Sequence, residues 1–169
     1  FVITVGIVLF NLPKLPAVFG RIFTEAFGLR QAVAGGFGAV LMNGVSYMGH
    51  HHHSGEFGHM CIVPHGEKCL CGMEGCLEAY CSTARISTDL GITREEFFEG
   101  LEQGNPDFQE RWDKYLDYLA IGINNIRMVL DCNVVLGGVL AQFMEPYIAD
   151  LRQRLCRINP FGGGGSYLE

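Results

Sequence analysis

Positive charge is scarce in this chain: 12 Lys and Arg stand against 18 Asp and Glu in 169 residues, a formal net charge of -6. Neutralising the phosphates of DNA or RNA needs the opposite balance, so direct nucleic-acid binding is excluded as a task of this chain. Long apolar runs are lacking as well. The most apolar stretch, FVITVGIVLF at 1–10, runs into Asn11 and Pro13. That is about half of the ~20 residues a spanning helix requires, and no basic segment precedes it as in a secretory signal. No membrane segment is expected. Charged residues make up 18% and hydrophobic ones 49%, which excludes a disordered chain and leaves one folded domain.

Glycine and cysteine are plentiful, with 23 and 7 residues. The cysteine count is odd, and five of the seven fall between Cys61 and Cys81. That clustering points to metal binding in a reducing compartment rather than to a disulfide framework, so the cytoplasm is the expected location. The chain starts with Phe and finishes in GGGGSYLE. The expectation is that one or both ends belong to a longer protein, with 161–169 a flexible or foreign tail.

The pattern alternates strands and helices, which predicts an α/β layer architecture. Residues 1–9 read as a buried strand and Ala17–Phe27 as a short helix. Val40–Met42 and Val45–Met48 flank Asn43-Gly44, the pair that most readily makes a two-residue hairpin turn. A further strand is expected at His59–Val63, a loop at Pro64–Gly75 and a helix at Glu78–Ile86. Thr93 with Glu96 forms a capping box for a helix ending near Gln103. Asn105-Pro106 opens a long helix whose stripe is Trp112, Leu116, Leu119, Ile123, Ile126 and Leu130. That stripe suits a core or a homodimer interface. Asn133–Leu136 reads as a buried strand, Gly137-Gly138 as a tight turn and Leu140–Ile158 as a last helix.

The strongest chemical signal is GEFGHMCIVPHGEKCLCGMEGCLEAYC. His59, Cys69, Cys71 and Cys76 offer one imidazole and three thiolates, a set that closes a tetrahedral zinc site and leaves no position for water. The zinc is then structural. The alternative is that these are ordinary buried thiols. Cys61, His65 and Cys81 compete as ligands and rank lower, Cys61 and Cys81 because a strand and a helix would bury them. His50–His53 form an internal histidine run, read as a solvated loop.

GEFGHM followed by CLCGMEGCLE resembles the zinc signature of the ROK family, a group of bacterial sugar kinases and sugar-responsive repressors. The likeness continues through GGFGAVLMNG and INNIRMVLDCNVVLGGVL. The resemblance implies an actin-like ATPase (ribonuclease H-like) fold, of which residues 35–160 would be the C-terminal lobe and 1–34 a partial remnant of the N-terminal lobe. It further implies that Glu56, His59 and Glu78 contact a hexose or N-acylhexosamine. Carboxylates accept short hydrogen bonds from sugar hydroxyls, and a metal-bound imidazole keeps its second nitrogen free to donate. Gly35, Gly36 and Gly38, with Gly137 and Gly138, are the positions that would approach a nucleotide.

The departures bear on activity. The family's kinases carry an early Asp-x-Gly-x-Thr loop and an Asn-Asp dipeptide whose aspartate is the catalytic base. The beginning of this chain has no such loop, the dipeptide is absent throughout, and no catalytic residue is identified. The resemblance implies that Asp131 caps a helix–strand junction and is structural. The expected function is a zinc-stabilised sugar-binding domain of a sugar-responsive transcriptional regulator whose DNA-binding module lies elsewhere. The alternatives are an incomplete ATP- and magnesium-dependent sugar kinase and an inactive structural fragment. A homodimer is expected.

Overall fold

The computed structural model describes residues 5–10, 38–42, 45–159, 161 and 165–168. The helix expected at Ala17–Phe27, the Asn43-Gly44 turn, and Gly35 and Gly36 lie outside the described residues. Among the described residues four strands form one sheet in the order β3-β2-β1-β4. They are β1 Val5–Phe10, β2 Gly38–Met42, β3 Val45–Tyr47 and β4 Asn133–Gly138. β2 and β3 pair antiparallel as expected, with Met42 opposite Val45, and β3 stops at Tyr47 rather than at Met48. β1 runs parallel to β2 and antiparallel to β4, placing Ile7 opposite Gly38 and Gly6 opposite Gly137. The glycines at 6, 38, 137 and 138 therefore gather at one end of the sheet.

Five helices follow β3: α1 Leu77–Cys81, α2 Arg94–Glu102, α3 Pro106–Leu130, α4 Ala141–Met144 and α5 Ile148–Ile158. The capping box at α2 is formed, with Glu96 N–H donating to Thr93 Oγ1 at 3.1 Å and Thr93 N–H to Glu96 Oε2 at 2.7 Å. Those bonds to the Thr93 backbone and side chain hold the Glu96 carboxyl below the usual carboxylate range. α3 opens on Asn105, whose Oδ1 accepts from Asp107 N–H and Phe108 N–H. It closes on Asp131 at φ 45°, paired with Arg127 at 2.6 Å, so Asp131 does cap the helix–strand junction.

Most of the α3 stripe lies in the core, but Leu130 at its end is 38% exposed. Trp112 is 3% exposed, with Tyr115 stacked on its ring and Phe98 and Tyr147 edge-on. It is therefore core, and the dimer role considered for this face does not hold for Trp112. The same core takes in Val40 and Val134 of the sheet, Leu77 of α1 and Leu151 and Leu155 of α5. Arg154 ties α5 to α3 through Asp113 at 2.7 Å and through Asp117, while also bonding Asp150 at 2.9 Å on its own helix.

Several expectations are corrected. His59–Val63 is not a strand: Phe57–His59 is a 3-10 turn, and only Cys61 makes an isolated bridge, to Cys76. The helix expected at Glu78–Ile86 stops at Cys81 and resumes as a 3-10 turn at Thr83–Ile86. Tyr115 Oη, from α3, donates to the Cys81 carbonyl at 2.6 Å and satisfies it from outside the helix. Gly137-Gly138 is the end of β4 rather than a turn after it, with Gly138 at φ 79° closing the strand. Leu140–Ile158 is broken by a 3-10 turn at Glu145–Tyr147, because Pro146 has no N–H to continue the helical ladder. The tail is not loose throughout: Tyr167 and Leu168 are buried, and Val134 N–H donates to the Tyr167 carbonyl at 2.8 Å.

Candidate metal centre

The loop between Met60 and Leu77 is a short antiparallel knuckle. Its base is the Cys61–Cys76 bridge, framed by Leu77 N–H to the Met60 carbonyl at 2.9 Å and Ile62 N–H to the Gly75 carbonyl at 2.8 Å. Further out Lys68 pairs with Glu74, and Cys69 N–H donates to the Met73 carbonyl at 2.8 Å, so residues 69–73 make a tight turn that carries two thiols. Gly75, at φ 76°, cannot be replaced without cost, because a Cβ there would lie 1.8 Å from the Val63 carbonyl oxygen.

This folding brings His59, Cys69, Cys71 and Cys76 together, with all four ligand atoms within 4.8 Å of one another. Cys71 Sγ lies 3.7 Å from Cys76 Sγ, and Cys69 Sγ lies 3.8 Å from His59 Nδ1. A tetrahedron with ~2.3 Å metal–sulfur bonds has edges of about 3.8 Å, so these separations fit a four-coordinate ion. The electrostatics agree. Burial pushes the Cys76 thiol up to about 12, its sulfur neighbours adding to the rise, and burial also raises Cys69. The Met73 backbone hydrogen bond lowers exposed Cys71. Three sulfurs this close carry their charge together only when a cation is shared between them. The cluster can therefore hold a metal.

The competing ligands stand apart from the four. Cys81 is buried against α3, its thiol donating to the Tyr115 carbonyl at 3.6 Å. His65 is exposed with φ 58° and Cys61 is exposed, neither joining the cluster. His50–His53 form an exposed loop, as expected of a solvated run.

The two acids bracket the same imidazole. Glu78 Oε2, on α1, lies 3.4 Å from His59 Nδ1 and 3.6 Å from Cys69 Sγ. Glu56 Oε2 lies 3.9 Å from His59 Nε2, on the ring's other side. Glu78 is 9% exposed, whereas the Glu56 and His59 side chains are about one-third open. β2 fixes this corner: Gly38 N–H and Phe57 N–H both donate to the Gly55 carbonyl at 2.8 Å. A Cβ on Gly38 would lie 2.2 Å from the Phe57 ring. Gly38 is thus required where Phe57 crosses β2, a packing role that sequence reasoning missed. Also passed over was the string Asp89-Leu90-Gly91-Ile92-Thr93, whose letters match Asp-x-Gly-x-Thr. Here Asp89 pairs with Arg85 at 3.0 Å and Thr93 caps α2, so the string serves as a helix lead-in.

A sequence model of the ROK family matches residues 29–158. The chain belongs to the ROK family. A second model, of the sodium:alanine symporter family, matches residues 1–51 and overlaps the first from residue 29. Among curated relatives, an N-acetyl-D-glucosamine kinase of Salmonella typhi is 30% identical over 139 residues, 72% of this chain and 46% of the kinase. That of Salmonella arizonae is 29% identical over 161 residues, 85% of this chain and 50% of the kinase. The chain spans about half the length of the curated relatives it matches.

The fold is shared with solved ROK proteins. A ROK hexokinase from Thermus thermophilus superimposes with a TM-score of 0.68 at 24% identity, over 92% of this chain and 48% of that one. A ROK glucokinase from Streptomyces griseus, solved with glucose and AMPPNP, gives 0.62 at 19% identity, over 98% and 58%. A ROK transcriptional regulator, a homologue of the E. coli MLC protein, gives 0.63 at 20% identity, over 99% and 40%. The likeness to a regulator rests on fold alone, so the regulator reading of the sequence is not favoured over the kinase one. No helix among the described residues is long and apolar enough to cross a membrane.

Proposed function

We propose that this chain is the zinc-supported, sugar-binding half of a ROK sugar kinase, with the lobe at residues 35–160. The observation that carries this reading is the placement of Glu56 and Glu78 on either side of the His59 ring, 3.9 Å from Nε2 and 3.4 Å from Nδ1. Zinc would be held by His59, Cys69, Cys71 and Cys76, and what it supplies is rigidity, because four protein ligands close the coordination sphere. The metal side of the imidazole is Nδ1, which faces Cys69. Nε2 faces the other way, toward Glu56, and is the atom available to donate to a sugar hydroxyl.

Glu56 and Glu78 accept from neighbouring hydroxyls, and charge-assisted bonds of this kind select for ring geometry. A hexose or N-acylhexosamine is the ligand class, in keeping with the N-acetylglucosamine kinases among the relatives. ATP and magnesium belong to the kinase reading, with Gly35, Gly36, Gly38, Gly137 and Gly138 near the phosphates. Gly137 and Gly38 share the glycine-rich end of the sheet, and this supports that assignment. The regulator reading has no observation of its own. Titration calorimetry of the zinc-loaded chain with glucose and N-acetylglucosamine tests the proposal: saturable binding of one of them is expected, and heat of dilution alone for both would refute it.

A further inference from the structure

Cys61 has no part in the metal set, yet it sits directly across from one of its members. The bonds from Leu77 N–H to the Met60 carbonyl and from Ile62 N–H to the Gly75 carbonyl flank the pair Cys61 and Cys76 on both sides. That pattern defines a non-hydrogen-bonded antiparallel pair, in which facing Cα atoms lie about 4.5 Å apart and both side chains project to one face. Disulfides span Cα separations of about 4.4–6.8 Å, so the register admits a bridge with side-chain rotation alone. Cys61 Sγ already leans over this strand, 3.3 Å from where a Cβ on Gly75 would stand. Cys61 is exposed, whereas Cys76 is 1% exposed.

We propose that Cys61 is an oxidation site that forms a cross-strand disulfide with Cys76, withdrawing one of the four metal ligands and disabling the sugar site. The oxidant is a hydroperoxide, of which hydrogen peroxide is the simplest. The Cys61 sulfur attacks one peroxide oxygen, the O–O bond breaks, and the products are Cys61 sulfenic acid and water. The Cys76 sulfur then attacks the Cys61 sulfur. The S–O bond breaks, the departing hydroxide takes a proton from solvent to become a second water, and the zinc ion that the Cys76 thiolate held loses that ligand. Two sulfurs have lost two electrons, and one peroxide has become two waters. Cys61 and Cys71 are both exposed, but Cys71 is held as a metal ligand in this reading, so the knuckle's free thiol open to the oxidant is Cys61, and the register directs the second step to Cys76. With Cys76 withdrawn, His59 loses the assembly that orients its ring between Glu56 and Glu78. A dithiol reductant and zinc reverse the change.

This inference rests on the zinc-centre reading, and its test separates the two. The zinc-loaded chain is treated with equimolar hydrogen peroxide while a chromogenic chelator follows metal release. It is then digested with trypsin without reduction. The expected product joins peptide 31–68, which contains Cys61, to peptide 69–85, with fragmentation assigning the bond to Cys76. Cys61→Ser is expected to lose zinc roughly fivefold more slowly, because the exposed attacking thiol is gone.

Equal release rates, or bonds formed only among Cys69, Cys71 and Cys76, would overturn the inference. Protein that contains no zinc is oxidised in the same way. The Cys61–Cys76 link found there upholds the disulfide whether or not the metal-centre reading stands, while its absence in both forms refutes the disulfide.

Discussion

Glu78 Oε2 lies 3.4 Å from His59 Nδ1, so a carboxylate on α1 and an imidazole on a 3-10 turn, 19 residues apart in the chain, share one corner. Glu78 reaches it because Leu77 anchors the start of α1 in the core, with its methyls against Gly122 of α3. Glu78→Gln keeps the shape and removes the charge. Sugar affinity is expected to fall about tenfold or more, the loss of one charge-assisted bond of ~1.5–3 kcal/mol, while zinc content stays at one per chain. Calorimetry together with metal analysis checks this, and unchanged affinity would remove Glu78 from the sugar site.

Gly75→Ala should disrupt the knuckle. Its Cβ would collide with the Val63 carbonyl oxygen, and the position has φ 76°. The backbone strain alone costs of order 1–3 kcal/mol, and relief requires the loop to open between Cys71 and Cys76. Zinc occupancy is expected to fall together with the melting temperature. Gly72→Ala is the control: it shares a positive φ but meets no atom within 4 Å, so it should retain more of its metal.

Thr93→Ala removes the cap of α2 and should cost about 1 kcal/mol at neutral pH. The sign of its pH dependence follows from Glu96, whose carboxyl is held below its ordinary range first by the Thr93 backbone N–H, which alanine keeps, and then by the Thr93 hydroxyl, which alanine lacks. A group depressed in the folded state stabilises fully above its unfolded pKa and loses that contribution as pH falls through the folded value. The penalty for Thr93→Ala should therefore shrink in acid. Denaturant titrations of both proteins from neutral pH down to pH ~3 measure this, given that free Glu titrates near 4.3.

Arg154→Met keeps much of the stem but cuts the link from α5 to Asp113 and Asp117 of α3. Those carboxylates are largely exposed, so the expected cost is only about 1 kcal/mol, reduced further at high salt. Thermal melts at two ionic strengths decide it. A salt-independent loss would assign the effect to packing of the stem.

What the sequence reveals here is local chemistry. The Thr93–Glu96 box and the Asn105-Pro106 helix start are each written within a few residues and form as their spacing implies, and the His59, Cys69, Cys71 and Cys76 side chains do lie together. Features set by distant partners were not legible. α1 ends where a tyrosine from α3 satisfies its carbonyl, and Gly38 is glycine because Phe57 crosses it. Tyr167 and Leu168 dock on β4 although glycines precede them. The direction of β1 in the sheet is likewise a matter of pairing, which period-two apolar patterning does not encode. Pro146 was the one break in plain view, and an amphipathic pattern on both sides of it obscured the interruption.

X-ray absorption at the zinc edge of the purified chain addresses the central claim most directly. A closed centre predicts one zinc per chain with three sulfurs at ~2.3 Å and one nitrogen at ~2.0–2.1 Å. Substoichiometric metal, or a first shell containing oxygen in place of a sulfur, would contradict it.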